Sequence, residues 1–168
     1  MKIDIIGSVG SGKTSLAKEL SVFYRIPYYE KDEIVWARSI SGDYKRSDKE
    51  RDYLFAEILK QDDWIAEGSP RRVLRESFAQ ADLILFLDTP SRIRLYRLVK
   101  RWVRQRLGRE SYSLKPDFSA LRQYLKWHRD FNRYRHQLLQ ELSIYEDKIC
   151  LVKSAKEAKN EFIAKFQV

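Results

Sequence analysis

A chain of 168 residues that is 43% hydrophobic and 34% charged, with 6 Gly and 4 Pro, is not collagen-like, low-complexity or disordered, and its length suits one domain. Its single cysteine, Cys150, excludes an internal disulfide and a cysteine-based zinc site, and reads as a small apolar residue of a buried strand. The net charge of +9 is concentrated: Arg92 to Arg135 carries 14 basic and 3 acidic residues, the rest of the chain 19 and 21. A positive field gathered in one segment suits a nucleic-acid backbone or the phosphates of a nucleotide.

Lys2–Ile6 is short, Ile-rich and stops at Gly7, which predicts a strand. Leu16, Ala17, Leu20 and Phe23 recur at helical spacing from about Lys13 to Tyr24. Pro27–Tyr29 is a second strand, and Ser41-Gly42-Asp43 a turn. Ser47-Asp48-Lys49-Glu50 has capping-box spacing and opens a helix to about Lys60. Trp64-Ile65-Ala66 is a third strand, ended by Gly68-Ser69-Pro70. Asp82–Leu87 is almost continuously apolar, as in a strand covered on both faces. Pro90, at a first helical position, opens a long basic helix, and Gly108–Pro116 breaks it. A second long helix runs from about Asp117 to Glu141, with Phe118, Leu121, Leu125, Phe131, Leu138 and Leu142 near one side. Lys148–Val152 is a fifth strand, and Ser154-Ala155-Lys156-Glu157 caps the last helix. Strand and helix alternate throughout, so the expected fold is α/β with a parallel sheet of about five strands. No apolar run approaches the ~18 residues of a membrane span, and the N-terminal apolar stretch is too short for a signal peptide, so a cytoplasmic protein is expected.

Gly7-Ser8-Val9-Gly10-Ser11-Gly12-Lys13-Thr14 fits G-x-x-x-x-G-K-[ST] at every fixed position, between the first strand and the first helix as the motif requires. Glycines let backbone N–H groups approach phosphate oxygens, and the helix N-terminus adds a positive dipole. Lys13 can reach the β- and γ-phosphates of ATP, and the Thr14 hydroxyl can ligate Mg²⁺. A second acid that orients the metal belongs at the end of a neighbouring strand; Glu67, Asp88 and Asp32 all qualify. His128 and His136 lie eight apart without a third ligand, which does not make a metal site. Tyr96, Trp102, Tyr124, Trp127, Phe131 and Tyr134 interleave with basic residues; at helical spacing they read as core, with base stacking the alternative.

Gly7–Thr14, Glu67-Gly68-Ser69-Pro70-Arg71, and Leu87-Asp88-Thr89-Pro90 followed by Arg97 and Arg101 resemble the adenylate kinase pattern of a phosphate loop, D-G-x-P-R after the third strand, and L-D-x-P followed by two arginines. With Ile26-Pro27, Asp32, Trp36, Trp64-Ile65, Leu95-Tyr96-Arg97 and Leu125-Lys126-Trp127, the chain from about Met1 to Ser154 is similar to the topology-modulation proteins, which are adenylate-kinase-related P-loop NTPases. The resemblance implies a three-layer P-loop fold over residues 1–168, with a basic, lid-like helical segment at about 92–135. It implies that Glu67 holds Mg²⁺ through water, that Arg71 grips the phosphate of an acceptor, and that Arg97 and Arg101 contact the donor's adenine and phosphates. Arg129 and Arg133, four apart on one helix face, would close over the transferring phosphoryl group. Arg92, Arg94, Lys100, Arg104 and Arg106 read as a solvated basic face.

Two departures from the pattern matter. Glu67 stands where the pattern has Asp, and Val35 where adenylate kinases carry a second arginine for the acceptor, unless Arg38 or Arg72 substitutes. Asp32 is then free to act as general base on an acceptor hydroxyl. The expectation is a kinase that passes the γ-phosphate of ATP to a nucleotide, nucleoside or similar small acceptor, the alternative being an NTP-dependent protein whose basic helices grip nucleic acid.

Overall fold

The computed structural model describes residues 1–39, 42–110 and 115–166. Ser41 of the expected turn, and residues 111–114 of the expected lid, lie outside the described residues. Strand β1 (Lys2–Gly7) is the centre of a five-stranded parallel sheet, with β5 (Trp64–Gly68) and then β2 (Tyr28–Glu30) on one side, and β6 (Leu83–Leu87) and then β7 (Ile149–Val152) on the other. The period-2 alternation of β1 divides its side chains between two cores. Ile3 and Ile5 meet Leu16, Ala17 and Leu20 of α1 (Lys13–Tyr24) and Phe162 of α7 (Ala155–Phe166). Ile6 faces the opposite layer, built from α2 (Lys31–Val35), α3 (Asp48–Leu59), α4 (Glu76–Gln80) and α6 (Phe118–Leu142). The three layers and the parallel sheet of five strands are those expected. No helix among the described residues is long and apolar enough to cross a membrane.

Ser47 caps α3 as its spacing predicts: its hydroxyl accepts from the Glu50 amide, and Glu50 accepts from the Ser47 amide at 3.0 Å. Asp117 does the same for α6 by accepting from the Ala120 amide. Other expectations shift. β5 runs on to Gly68, one residue past the strand end expected at Glu67. Pro90 is the residue before α5 (Ser91–Arg106) rather than its first. A two-stranded pair, β3 (Trp36–Ala37) with β4 (Tyr44–Lys45), was not legible at this length. On α6 the buried residues are Ala120, Tyr124, His128, Leu138 and Leu142, while Phe118 is 67% exposed and Leu125 reaches solvent, so the apolar side is narrower than expected. Tyr96 and Trp127 are exposed too, and Cys150 is only half-buried.

One ion pair lies wholly inside the protein. Lys31 Nζ, at the start of α2, donates to Asp4 Oδ2 of β1 at 2.6 Å and lies 4.7 Å from the centre of the Phe78 ring. Burial pushes the Lys31 ammonium pKa down and that of the Asp4 carboxyl up, each opposed by its partner's charge. The tether crosses from the end of β2 to the central strand and fixes the turn that carries Asp32.

Candidate active site at the C-terminal edge of the sheet

Because the five strands are parallel, Gly7, Glu30, Gly68, Leu87 and Val152 end on one edge. The chain leaves β1 toward β2 and leaves β6 toward β7, so the sheet's crevice opens between β1 and β6, where ligands of open α/β sheets bind. Gly7 to Thr14 occupies that crevice. Gly12 has φ 101°, a left-handed conformation that favours glycine, and no side chain caps the N-terminus of α1 behind it. The Ser11 hydroxyl is buried without a hydrogen-bond partner among the described residues. Lys13 Nζ lies 3.5 Å from the Ser8 carbonyl, at the limit of a hydrogen bond.

Of the three acids at the strand ends, one meets the loop. Thr14 Oγ1 donates to Glu67 Oε1 at 2.6 Å, and Glu67 Oε2 is buried with no partner among the described residues. Burial raises the Glu67 pKa; the Lys13 charge and the Thr14 hydrogen bond pull it back, while Glu30 and Asp32 push it up further. Glu30, which drew no attention in the sequence, pairs in register with Glu67 across β2 and β5; its signal was the acid–Lys31–acid spacing at the strand end. A hydroxyl and a half-satisfied carboxylate side by side are the oxygen donors a hard cation such as Mg²⁺ takes.

Asp32 and Arg71 touch each other: Arg71 Nη2 donates to Asp32 Oδ1 at 2.6 Å, and both reach solvent. Val35 is buried in the core, so its position offers nothing to an acceptor. Neither substitute for the missing arginine is free, since Arg38 pairs with Asp43 and Arg72 with Glu141. Asp88 instead holds Arg135 of α6, whose Nε donates to Asp88 Oδ1 at 2.8 Å.

Arg97 donates to the carbonyl oxygens of Gly10 at 3.3 Å and Ser11 at 2.8 Å, which brings it against the phosphate loop. Arg101 lies one turn on and pairs with Glu110. Arg129 and Arg133 are exposed on the side of α6 away from its buried residues, and no described residue bonds to either. His128 is a packing residue, its Nε2 3.0 Å from Ser91 Oγ at the start of α5.

The turn bearing Arg71 is stapled from below. Glu141 of α6 accepts from the Tyr134 hydroxyl, Arg75, Gln137 and Arg72, and the first three draw its carboxyl pKa down to about 2 from the usual 4.5. A carboxyl whose pKa falls on folding stabilises above its unfolded pKa and loses that contribution as pH drops through the folded value. Urea denaturation of wild type and Glu141→Gln should therefore differ at pH 6 and converge between pH 4.5 and about 2. Equal stabilities at pH 6 would dismiss the staple.

No family model and no curated protein sequence matches the chain. Among solved structures it is similar to an unliganded sugar kinase from Janibacter sp. HTCC2649, at TM-score 0.57 and 16% identity over 99% of this chain and 94% of that one. It is similar to the shikimate kinase of Aquifex aeolicus vf5, at TM-score 0.53 and 17% identity over 99% and 96%. The chain shares the fold of these two kinases. An uncharacterized protein from Eubacterium ventriosum ATCC 27560 shares that architecture at TM-score 0.55 and 14% identity over 98% and 96%.

Proposed function

We propose that this chain is a Mg²⁺-dependent kinase that transfers the γ-phosphate of ATP to a hydroxyl of a small acceptor. The observation that carries this reading is the contact of Thr14 with Glu67 at 2.6 Å, beside Lys13 at the mouth of the phosphate loop. When bound there, Mg²⁺ would be held by Thr14 and, through water, by Glu67, and would supply charge neutralisation on the β- and γ-phosphates. Residues Gly7 to Thr14 would bind the phosphates through backbone N–H groups and the Lys13 ammonium, with Arg97 and Arg101 on the donor side. Asp32 would accept the proton of the acceptor hydroxyl as its oxygen bonds to the γ-phosphorus and the bond to the β–γ bridging oxygen breaks, leaving ADP. Arg71 would hold the acceptor, and Arg129 and Arg133 would close over the phosphoryl group. The quoted motifs, more than the fold, support kinship with the topology-modulation proteins. The test is a ³¹P NMR screen of Mg–ATP with nucleoside monophosphates, nucleosides and small hydroxyl compounds. A phosphorylated acceptor is the expected result, and failure to bind Mg–ATP at all would overturn the reading.

Glu67→Gln separates function from stability. The amide keeps an acceptor for Thr14 but removes a buried charge, so the melting temperature should rise by roughly 2–4 °C, the worth of ~1 kcal/mol in a chain of this size. Turnover should fall by about 10²-fold or more, with a higher Mg²⁺ requirement. A variant with lower melting temperature and normal Mg²⁺ dependence would reject the metal role of Glu67.

A second reading has its own observation. Arg122, Lys126, Arg129 and Arg133 recur at helical spacing along one exposed side of α6, and none has a partner among the described residues. Such a stripe suits a nucleic-acid backbone, and duplex binding whose log–log salt slope reaches about −3 or steeper would support it.

A further inference from the structure

Within the basic run of α5, Arg94 alone among its arginines is buried, at 2% exposure. Burial pushes its guanidinium pKa down, and Nη1 has no acceptor among the described residues. Exchanging a buried ion for an apolar side chain of similar volume is commonly neutral or stabilising, so packing does not account for an arginine here. Its contacts do. Nε donates to the Thr89 carbonyl at 2.8 Å, Nη2 donates to Asn132 Oδ1 of α6, and the guanidinium carbon lies 5.0 Å from the centre of the Phe131 ring. Thr89, itself buried, sends its hydroxyl the other way and donates to the Ser11 carbonyl at 3.0 Å. That carbonyl also accepts from Arg97 at 2.8 Å. The Ser11–Gly12 peptide is planar and trans, so holding its oxygen toward α5 aims the Gly12 N–H the opposite way. Gly10 shows how closely α5 backs the loop: a Cβ there would come within 3.1 Å of the Arg94 carbonyl oxygen.

We infer that Arg94 is a positioning residue for the nucleotide: it passes the docking of α6 through Thr89 to the Ser11–Gly12 peptide and so sets the direction of a loop N–H. The inference rests on the ATP-binding reading above and adds to it a residue that touches no ligand.

Calorimetric titration of Mg–ATP into wild type, Arg94→Met, Thr89→Val and the double variant tests it, with melting temperatures alongside. Methionine keeps the volume over Phe131, so Arg94→Met should melt at or above the wild-type temperature yet bind Mg–ATP about tenfold more weakly, the scale of one lost buried hydrogen bond. Thr89→Val, which keeps the shape and loses the donor, should weaken binding similarly. Because both break one chain, the double variant should bind no worse than the weaker single. Arg94→Lys, charged but without the planar fork, should fall between wild type and methionine. Wild-type affinity in a folded Arg94→Met, or in Thr89→Val if Arg94→Met fails to fold, overturns the inference; so do losses that multiply in the double variant. A wild-type protein that does not bind Mg–ATP overturns the nucleotide reading itself, and the two failures are told apart by that control.

Discussion

Lys13→Ala should lower phosphoryl transfer by roughly 10³-fold while leaving the melting temperature within a few degrees of wild type. The rate effect follows from where charge moves. In a transfer whose catalysis is positioning plus electrostatics, one preorganised donor at the phosphates is worth about 10²–10³. Lys13 begins α1 at the loop's mouth, and its one side-chain hydrogen bond among the described residues, to the Ser8 carbonyl at 3.5 Å, is too long to hold the fold together. Its charge does offset the burial of Glu67, so some stability goes with it, and more at high pH, where that carboxyl is ionised. Steady-state kinetics with ATP and a thermal melt measure both effects. Normal turnover with normal affinity for ATP would remove the loop from the chemistry.

Signals confined to neighbouring residues are legible in the sequence itself. The phosphate loop is one: its glycines, lysine and threonine act within eight positions, and the strand before it is recognisable from its apolar run alone. The Ser47–Glu50 cap is another, because both partners sit in one turn. What sequence could not choose was which of several equivalent residues meets a partner far along the chain. Glu67, Asp88 and Asp32 all end strands or follow them; only the register of the sheet brings Glu67 to Thr14, sends Asp88 to Arg135, and gives Asp32 to Arg71. Nothing in the sequence marks Lys31 as buried, since its partner Asp4 lies 27 positions away. The sequence groups Arg94 with Arg92 and Arg104 on a solvated face, and the structure corrects this by burying it. In a helix so rich in arginine, charge hides the phase of the buried side, which is set here by Leu98 and Gln105 on the same flank. On α6, Asn132 and Arg135 reach residues beside the loop, Asn132 through Arg94 and Arg135 through Asp88, and nothing in the sequence marks either.

Asp32→Asn should reduce kcat by ~10²–10⁴, the usual worth of a general base, with little change in KM for ATP. Asparagine is nearly isosteric and keeps an oxygen for Arg71, so the turn pinned by Lys31 and Asp4 should stay in place. What it cannot do is take a proton. In the wild type Oδ1 is engaged by Arg71, while Oδ2 has no partner among the described residues and is the oxygen left to meet a hydroxyl. With Val35 buried, Arg38 and Arg72 paired elsewhere and Arg71 itself paired with Asp32, the arginines expected at an acceptor phosphate are all engaged or missing, which favours an acceptor that presents a hydroxyl instead. The rival role for Asp32 is to order water around Mg²⁺ for a monophosphate acceptor, whose phosphate needs no base. The two roles respond differently to metal. If Asp32 only organises Mg²⁺, raising its concentration should restore most of the variant's turnover; if it takes the proton, added metal changes nothing. A titration of kcat against Mg²⁺ in Asp32→Asn therefore decides between them, and recovery to near wild type would return the acceptor to the monophosphates.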